Sequence, residues 1–89
     1  MAKAEIGWVR HDPDGTKMDV YAHHFGGDWL FYEREKRYDQ WQEISRPLLE
    51  DWQALLDAVE RKIQRRQLRP EESGRVRKKI REEYPDAKV

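Results

Sequence analysis

The sequence predicts an α+β domain: a three-stranded antiparallel meander followed by, and packed on, a two-helix hairpin. Two Gly-containing turns divide the first 36 residues into three strand-like segments. Apolar residues then recur at helical spacing between Ser45 and Gln67, and a narrower apolar stripe follows Pro70. The expected element order is βββαα, with strands near 5–11, 16–25 and 28–36 and helices near 46–67 and 70–84.

The two turns predict which strand residues lie opposite each other. In Asp12-Pro13-Asp14-Gly15, proline fixes φ near −65° and glycine accepts a positive φ, so this stretch is typical of a turn. Gly26-Gly27 is typical of a two-residue hairpin loop. If the first loop has four residues, Trp8 pairs with Asp19. If the second has two, Tyr21 pairs with Tyr32.

This register gives both faces of the sheet a large apolar surface. One face would have Val9, Met18, Val20, Ala22, Trp29 and Phe31. The other would have Ile6, Trp8, Tyr21, Phe25, Leu30 and Tyr32, with Arg10 and Arg34 among them. Since one helix stripe covers only one face, the second must be closed by residues 38–44, by the last helix or by another molecule.

The first helix is predicted by one apolar stripe, and its ends by polar residues. Ser45 is a suitable N-cap, and Asp57 and Arg61 are spaced as an i,i+4 ion pair. The second helix is expected to begin at Pro70 or, because Gly74 weakens its first turn, at Ser73. Glu33–Glu43 either prolongs the third strand or forms a loop. The first stripe consists of Leu48, Trp52, Leu55, Leu56, Val59 and Ile63, and the second of Val76, Ile80 and Tyr84.

Composition favours one small folded domain spanning residues 1–89. Charged residues make up 40% of the chain, which approaches the composition of disordered proteins, but ten aromatic residues (four Trp, four Tyr, two Phe) indicate a folded core. The absence of cysteine excludes disulfides and thiolate metal sites. No apolar run has the length of a signal peptide or a membrane span, so we expect a cytoplasmic protein.

The net charge of zero conceals an uneven distribution of charge. Residues 1–60 have 7 Lys/Arg against 13 Asp/Glu, whereas residues 61–81 have 10 against 2. The chain therefore has an acidic body and a basic segment near its C-terminal end.

Motifs for catalysis or for cofactor binding are absent from the sequence. His23 and His24 are adjacent on a strand and point to opposite faces, so they cannot both bind one ion there. Asp12-x-Asp14-Gly15 resembles the start of a calcium loop, but the twelfth position of that loop is His23 instead of glutamate. An enzyme using His11 or His24 would need a pocket and a convergent partner. We therefore predict no enzyme, no metal and no cofactor.

Part of the predicted meander resembles a WW domain, the three-stranded sheet that binds proline-rich peptides. The similar features are Gly7-Trp8, the turn at Gly15, Tyr21-x-x-His24 and Trp29. They cover about 25 residues. The chain departs from the WW pattern because no closing proline follows the second tryptophan and the interval from Tyr21 to Trp29 is short. No binding residue is therefore transferred from that family.

Two function hypotheses follow from these patterns. The first is a non-catalytic interaction module that binds protein, including a second copy of itself, through the helical hairpin or through aromatic residues of the sheet. Those aromatic residues are Trp8, Tyr21, Phe25 and Tyr32. The alternative is nucleic-acid binding through the basic segment, 61–81. Its candidate residues are Arg61, Lys62, Arg65, Arg69, Lys78 and Lys79.

Overall fold

A computed structural model describes residues 5–89 and confirms the predicted α+β class. An antiparallel sheet is followed by two helices, and the chain divides into two compact units, Met1–Pro47 and Leu48–Val89. The elements are β1 (Glu5–His11), β2 (Lys17–Phe25), β3 (Asp28–Arg34), β4 (Gln42–Ile44), α1 (Leu49–Gln64) and α2 (Glu71–Glu83).

The sheet has the strand order β1-β2-β3-β4, so each strand pairs with its neighbour in the chain. The fourth strand was not predicted: β3 ends at Arg34 instead of continuing to residue 36, and a turn reverses the chain. In that turn the Asp39 N–H donates to the Lys36 carbonyl (2.9 Å), and the Lys36 N–H donates to the Asp39 carboxylate (3.1 Å). Glu33–Glu43 is therefore a strand end, a turn and the start of a new strand.

The first hairpin has a register one residue away from the predicted one. The Asp12 N–H donates to the Thr16 carbonyl (2.9 Å), so these two residues form a pair and the loop has three residues instead of four. Gly15 has a φ of +89° and is the left-handed residue of this three-residue hairpin loop. Trp8 consequently pairs with Val20, not with Asp19. A one-residue shift reverses the face on which every β1 side chain lies.

The predicted register of the second hairpin is confirmed. Phe25 pairs with Asp28 and Tyr21 with Tyr32 across the two-residue loop. Gly26 and Gly27 have φ values of 59° and 89°, the combination of a type I′ turn. Glycine adopts these angles without the steric cost that a Cβ atom imposes.

One face of the sheet is buried. Along the observed pairs, even-numbered residues of β1 and β2 share this face with odd-numbered residues of β3. The buried apolar residues are Ile6, Val20, Ala22, Trp29 and Phe31. Ile6 and Trp8 therefore lie on the same face as Val20, and Val9 lies on the opposite one, in contrast to the predicted faces. The edge of the Trp8 ring meets Phe31, with centroids 6.0 Å apart.

Helix α1 begins later than predicted and without the predicted cap. The residue in the N-cap position is Leu48, with extended backbone angles and no side-chain cap hydrogen bond, so Ser45 is not the N-cap. Pro47 disfavours helical angles at the residue before it and has no N–H to donate, which is consistent with the later start. The predicted ion pair between Asp57 and Arg61 is confirmed at 2.5 Å. Leu48 itself is 45% exposed and does not extend the buried stripe.

Helix α2 begins at Glu71, one residue after Pro70, and contacts α1. An ion pair between Glu60 of α1 and Arg77 of α2 links the two helices. The fully buried side chains of this unit are Asp51, Leu55, Val59, Val76 and Ile80. Neither helix within residues 5–89 combines the length and apolar character that a membrane span requires.

Candidate functional site

The face of the sheet opposite the buried one has an assembled group of aromatic side chains. Tyr21 of β2 and Tyr32 of β3 are directly opposite each other and stack, with ring centroids 4.9 Å apart and planes 19° apart. Trp41, immediately before β4, meets Tyr21 edge-on, with centroids 4.6 Å apart and planes at 85°. Such aromatic contacts each contribute about 0.5–1.5 kcal/mol beyond area burial, so these rings hold one another in place.

Arg34 fixes the position of Trp41 from the other side. Its guanidinium carbon lies 4.1 Å from the centroid of the Trp41 ring, which is a cation–π contact. Nε of the same side chain is 3.6 Å from the Asp19 carboxylate. The observed register allows both contacts, because Asp19 and Arg34 are paired residues of β2 and β3.

Further apolar side chains extend this surface in both directions along the sheet. We call the whole surface the aromatic face; it consists of Val9, Tyr21, Phe25, Leu30, Tyr32 and Trp41. Phe25 is 66% exposed, Val9 48% and Trp41 36%, whereas Leu30, Tyr21 and Tyr32 are half-buried. Of the segment expected to close this face, Trp41 does contact it, but Tyr38 is 82% exposed and Ile44 pairs with Phe31 on the buried side.

A shallow groove of about 620 Å³ runs over the aromatic face between β1 and Trp41. Gly7 contributes no side chain, and a Cβ atom there would lie 3.5 Å from the Val20 carbonyl oxygen and 3.8 Å from Cβ of Tyr21. Carboxylates at Glu5 and Asp19 flank the apolar surface. The groove therefore offers a flat aromatic surface with acidic margins.

The environment of Tyr21 changes its acidity. Partial burial raises the pKa of the Tyr21 hydroxyl, and the nearby Glu5 carboxylate and Tyr32 raise it further. The hydroxyl therefore stays protonated throughout the physiological range and remains a hydrogen-bond donor at the groove.

The structure brings together three of the four aromatic residues predicted to bind protein. Tyr21, Phe25 and Tyr32 share the aromatic face, whereas Trp8 lies on the buried side, because the first hairpin has a three-residue loop. The predicted register placed Arg34 on this face, and residues 38–44, which include Trp41, were one of the segments expected to close it. The sequence did not indicate the specific contacts of Trp41 with Tyr21 and Arg34, which depend on the turn at 36–39 and on the pairing of β4.

The basic residues of the alternative hypothesis lie on and between the two helices. Several of the basic side chains in this segment are paired with acids: Arg61 with Asp57, Arg75 with Glu72 and Arg77 with Glu60. Arg65, Arg66 and Arg69 are exposed, have no ion pair among residues 5–89 and lie in the connection between the helices. Lys78 is also exposed, but it lies in the middle of α2.

The histidines do not converge. The imidazole of His24 stacks on Trp29 on the buried side, with centroids 4.4 Å apart, and His23 Nδ1 is 3.7 Å from the Glu5 carboxylate on the aromatic face. Within residues 5–89 no three His, Cys, Asp or Glu side chains are grouped as a metal site requires.

The chain matches no protein-family model, no curated protein and no solved structure. Its function must therefore be inferred from the surface chemistry of this chain alone.

Proposed function

We propose that this protein is a non-catalytic interaction module that binds another protein through its aromatic face. The supporting observation is the Tyr21–Tyr32–Trp41 cluster, which is already ordered and is flanked by the exposed apolar side chains of Phe25 and Val9. Aromatic residues are enriched at the centres of protein interfaces, where they bury a large area at a small entropic cost.

Three properties of the aromatic face favour a protein partner. The Tyr21 hydroxyl and the indole N–H of Trp41 supply hydrogen-bond donors at the margin of an apolar surface, as amphipathic interface residues do. Ring stacking and the Arg34 contact hold the cluster in place before binding, which lowers the entropic cost of association. The groove is open and shallow, which suits a protein segment better than an enclosed small molecule.

We also propose a cytoplasmic location, for which the absence of cysteine is the supporting observation.

Site-specific photo-crosslinking tests this proposal. A benzoylphenylalanine replacing Phe25 keeps an aromatic side chain at the aromatic face, and the same group replacing Tyr38 is the matched control in an exposed turn. We expect a protein adduct from position 25, either with a second copy or with a protein of the host cell, and none of that size from position 38. A Trp41→Ala substitution in the position-25 variant should lower the affinity for the partner at least about tenfold, which corresponds to 1.4 kcal/mol. The lower affinity is measured as a lower yield of the adduct.

Equal adducts at the two positions, or an adduct at position 25 that is insensitive to Trp41→Ala, would contradict protein binding through this face. Amide spectra of the Trp41→Ala variant serve as the folding control, because Trp41 lies on the surface and not in the buried face.

A second candidate function, nucleic-acid binding, is favoured by the cluster of exposed cations at the helix connection. Fluorescence anisotropy with mixed-sequence single-stranded RNA tests it. This candidate predicts binding that weakens steeply between about 50 and 200 mM salt, because neutralising phosphates releases counterions. Reversing Arg65 and Arg69 to Glu should abolish that binding, whereas reversing Lys17 on the sheet should not. Affinity that is unchanged in the Arg65/Arg69 variant would eliminate this candidate.

A further inference from the structure

Strand β1 forms one edge of the sheet, and its outer backbone groups are directed away from β2. The Asp12–Thr16 hydrogen bond makes that pair a bonded one. In an antiparallel ladder, bonded and non-bonded pairs alternate. Trp8–Val20 is therefore a bonded pair, whereas Gly7–Tyr21 and Val9–Asp19 are not. The N–H and C=O groups of Gly7 and Val9 consequently point outward.

The outward-facing residues of β1 are accessible. Glu5, Gly7, Val9 and His11 are all exposed, and their backbone groups have no partner among residues 5–89. Natural edge strands usually prevent further pairing by proline, by a bulge, by short length or by charged side chains, including ones that point inward. Strand β1 has seven residues with neither proline nor a bulge, and the charge of its inward-pointing Arg10 is paired with Asp12 and Glu33 of the same chain. The opposite edge is protected, because β4 has only three residues.

We propose that β1 pairs antiparallel with β1 of a second copy of this chain, with the Trp8 residues of the two copies opposite each other. This proposal goes beyond the proposed function, because it names a second copy as the partner and the sheet edge, not the aromatic face, as the means of association. The two sheets would join into one, and the aromatic faces of the two copies would become continuous across the junction.

The sequence of β1 selects this register. Pairing centred on Trp8 is the arrangement in which all seven residues of β1 are paired with their counterparts. It places the Glu5 carboxylate opposite the His11 imidazole of the second copy, where an imidazole N–H can donate to the carboxylate, and this contact occurs twice because of the two-fold symmetry. It also places Gly7 opposite Val9, so the exposed Val9 side chain meets a position without a competing side chain.

The central pair has suitable geometry as well. Trp8 bonds to Val20 on its own sheet, so the two Trp8 residues would form a non-bonded pair, the type in which side chains approach most closely, with Cα atoms about 4.5 Å apart. Aromatic cross-strand pairs are among the more stabilising pairs in sheets. Trp8 is only half-buried in the single chain, so part of its ring is accessible to a partner.

Engineered disulfides test the register directly, because the natural chain has no cysteine. Glu5→Cys and His11→Cys variants are prepared separately, mixed and oxidised. Residues opposite each other as a bonded pair have Cα atoms about 5.5 Å apart, within the range of a disulfide. We expect the mixture to give a disulfide-linked heterodimer of the two variants. Glu5→Cys alone should give little disulfide dimer, since six residues of strand, about 20 Å, would separate the two sulfur positions.

Sedimentation equilibrium of the otherwise natural chain provides the second readout. A Val9→Pro substitution removes one outward N–H and should shift the equilibrium to monomer, weakening the dimer at least about tenfold, equivalent to 1.4 kcal/mol. Glu43→Pro is the matched control, because Glu43 likewise faces outward on the other edge strand. It should leave the dimer unchanged.

Formation of both homodimeric disulfides at the same rate as the mixed one, or a natural chain that stays monomeric at all concentrations, would overturn the proposal. If Val9→Pro does not fold, the disulfide experiment still decides the matter. A monomeric chain that nevertheless forms the Phe25 crosslink with another protein would reject pairing through β1 and leave protein binding by the aromatic face intact.

Discussion

At the scale of single residues, Arg10 is a buried charge on the sheet that is paired with two carboxylates. Only 6% of its side chain is exposed, although it is charged, and it pairs with Asp12 (2.9 Å) and with Glu33 (2.5 Å). Glu33 lies on β3, so this ion pair links β1 to β3 across the intervening strand β2. A buried cation that lost its partners would have no water to replace them.

Removing one ion-pair partner of Arg10 should therefore lower the free energy of unfolding more than removing a partner of an exposed arginine. We expect Glu33→Gln to lower the free energy of unfolding by about 1–2 kcal/mol, less than for a fully buried pair because Asp12 remains and Glu33 is partly exposed. Asp57→Asn, which breaks the exposed pair with Arg61, should cost less than about 0.5 kcal/mol. Urea denaturation measures both. Equal losses would show that Arg10 is better solvated than its burial indicates.

Asp14 provides a pH-dependent contact in the first turn. The Thr16 N–H donates to the Asp14 carboxylate (3.0 Å), and this hydrogen bond lowers the pKa of Asp14. A carboxyl group whose pKa is lower in the folded state stabilises that state above its unfolded pKa. That stabilisation is lost as pH falls through the folded pKa.

We expect a carbon-detected NMR titration to give an Asp14 pKa below the ordinary value of about 3.9. The Thr16 amide shift should follow the same transition, and the Asp14→Asn variant should show no such transition at Thr16. A Thr16 amide that titrates unchanged in that variant would assign the transition to another carboxyl group.

At the scale of elements, two glycines with opposite backbone requirements provide a paired test. Gly74 lies within α2 with no positive φ, and a Cβ atom there would meet nothing within 4 Å. Gly26 has φ +59° in the β2–β3 turn. Glycine is unfavourable in a helix and favourable in a type I′ turn, so the same substitution should act in opposite directions at the two sites.

Gly74→Ala should raise the free energy of unfolding by about 0.5–1 kcal/mol, because alanine loses less backbone entropy on forming a helix. Gly26→Ala should lower it by about 1 kcal/mol or more, because the left-handed conformation strains an L-residue. Thermal unfolding followed by circular dichroism measures both changes. Destabilisation by Gly74→Ala would mean that α2 needs the glycine for a contact that the added methyl group obstructs.

The strands and helices also show which parts of the fold can be predicted from the sequence alone. Periodicity and turn residues predicted three strands and two helices in the correct order, and Gly26-Gly27 predicted the second register. The first register was wrong because Asp12-Pro13-Asp14-Gly15 is compatible with loops of three or four residues, and only the Asp12–Thr16 hydrogen bond distinguishes them. This difference of one residue in loop length places Trp8 on the buried side of the sheet, outside the candidate site. Strand β4 was not predicted because three residues are too few to show alternation, so Trp41 was expected near this face but its edge-on contact with Tyr21 was not predicted.

At the scale of the whole molecule, charge balance affects behaviour in solution. The chain has 18 Lys/Arg and 18 Asp/Glu, so the net charge is zero near pH 7. Molecules without net charge do not repel one another at long range, which favours association and lowers solubility.

We expect the solubility of this protein to be lowest near pH 7 and to rise on either side of it. Static light scattering at several pH values and a low ionic strength measures this as a change in the second virial coefficient. The Val9→Pro variant separates the effect of net charge from pairing through β1. If net charge governs the attraction, it should be strongest at pH 7 for this variant as well as for the natural chain. A coefficient independent of pH in both proteins would show that net charge does not govern their association.

The consecutive strand order has a kinetic consequence. The strands are joined by five, two and seven residues, and each contacts the strand that follows it, as α1 contacts α2. Short connections require little loop-closure entropy before a native contact forms. Among small domains, contacts that are closer along the chain go with faster folding. A newly made chain should therefore spend little time unfolded, with the β1 segment and the aromatic side chains exposed together. This shortens the period in which strand segments of different molecules can associate without a fixed register.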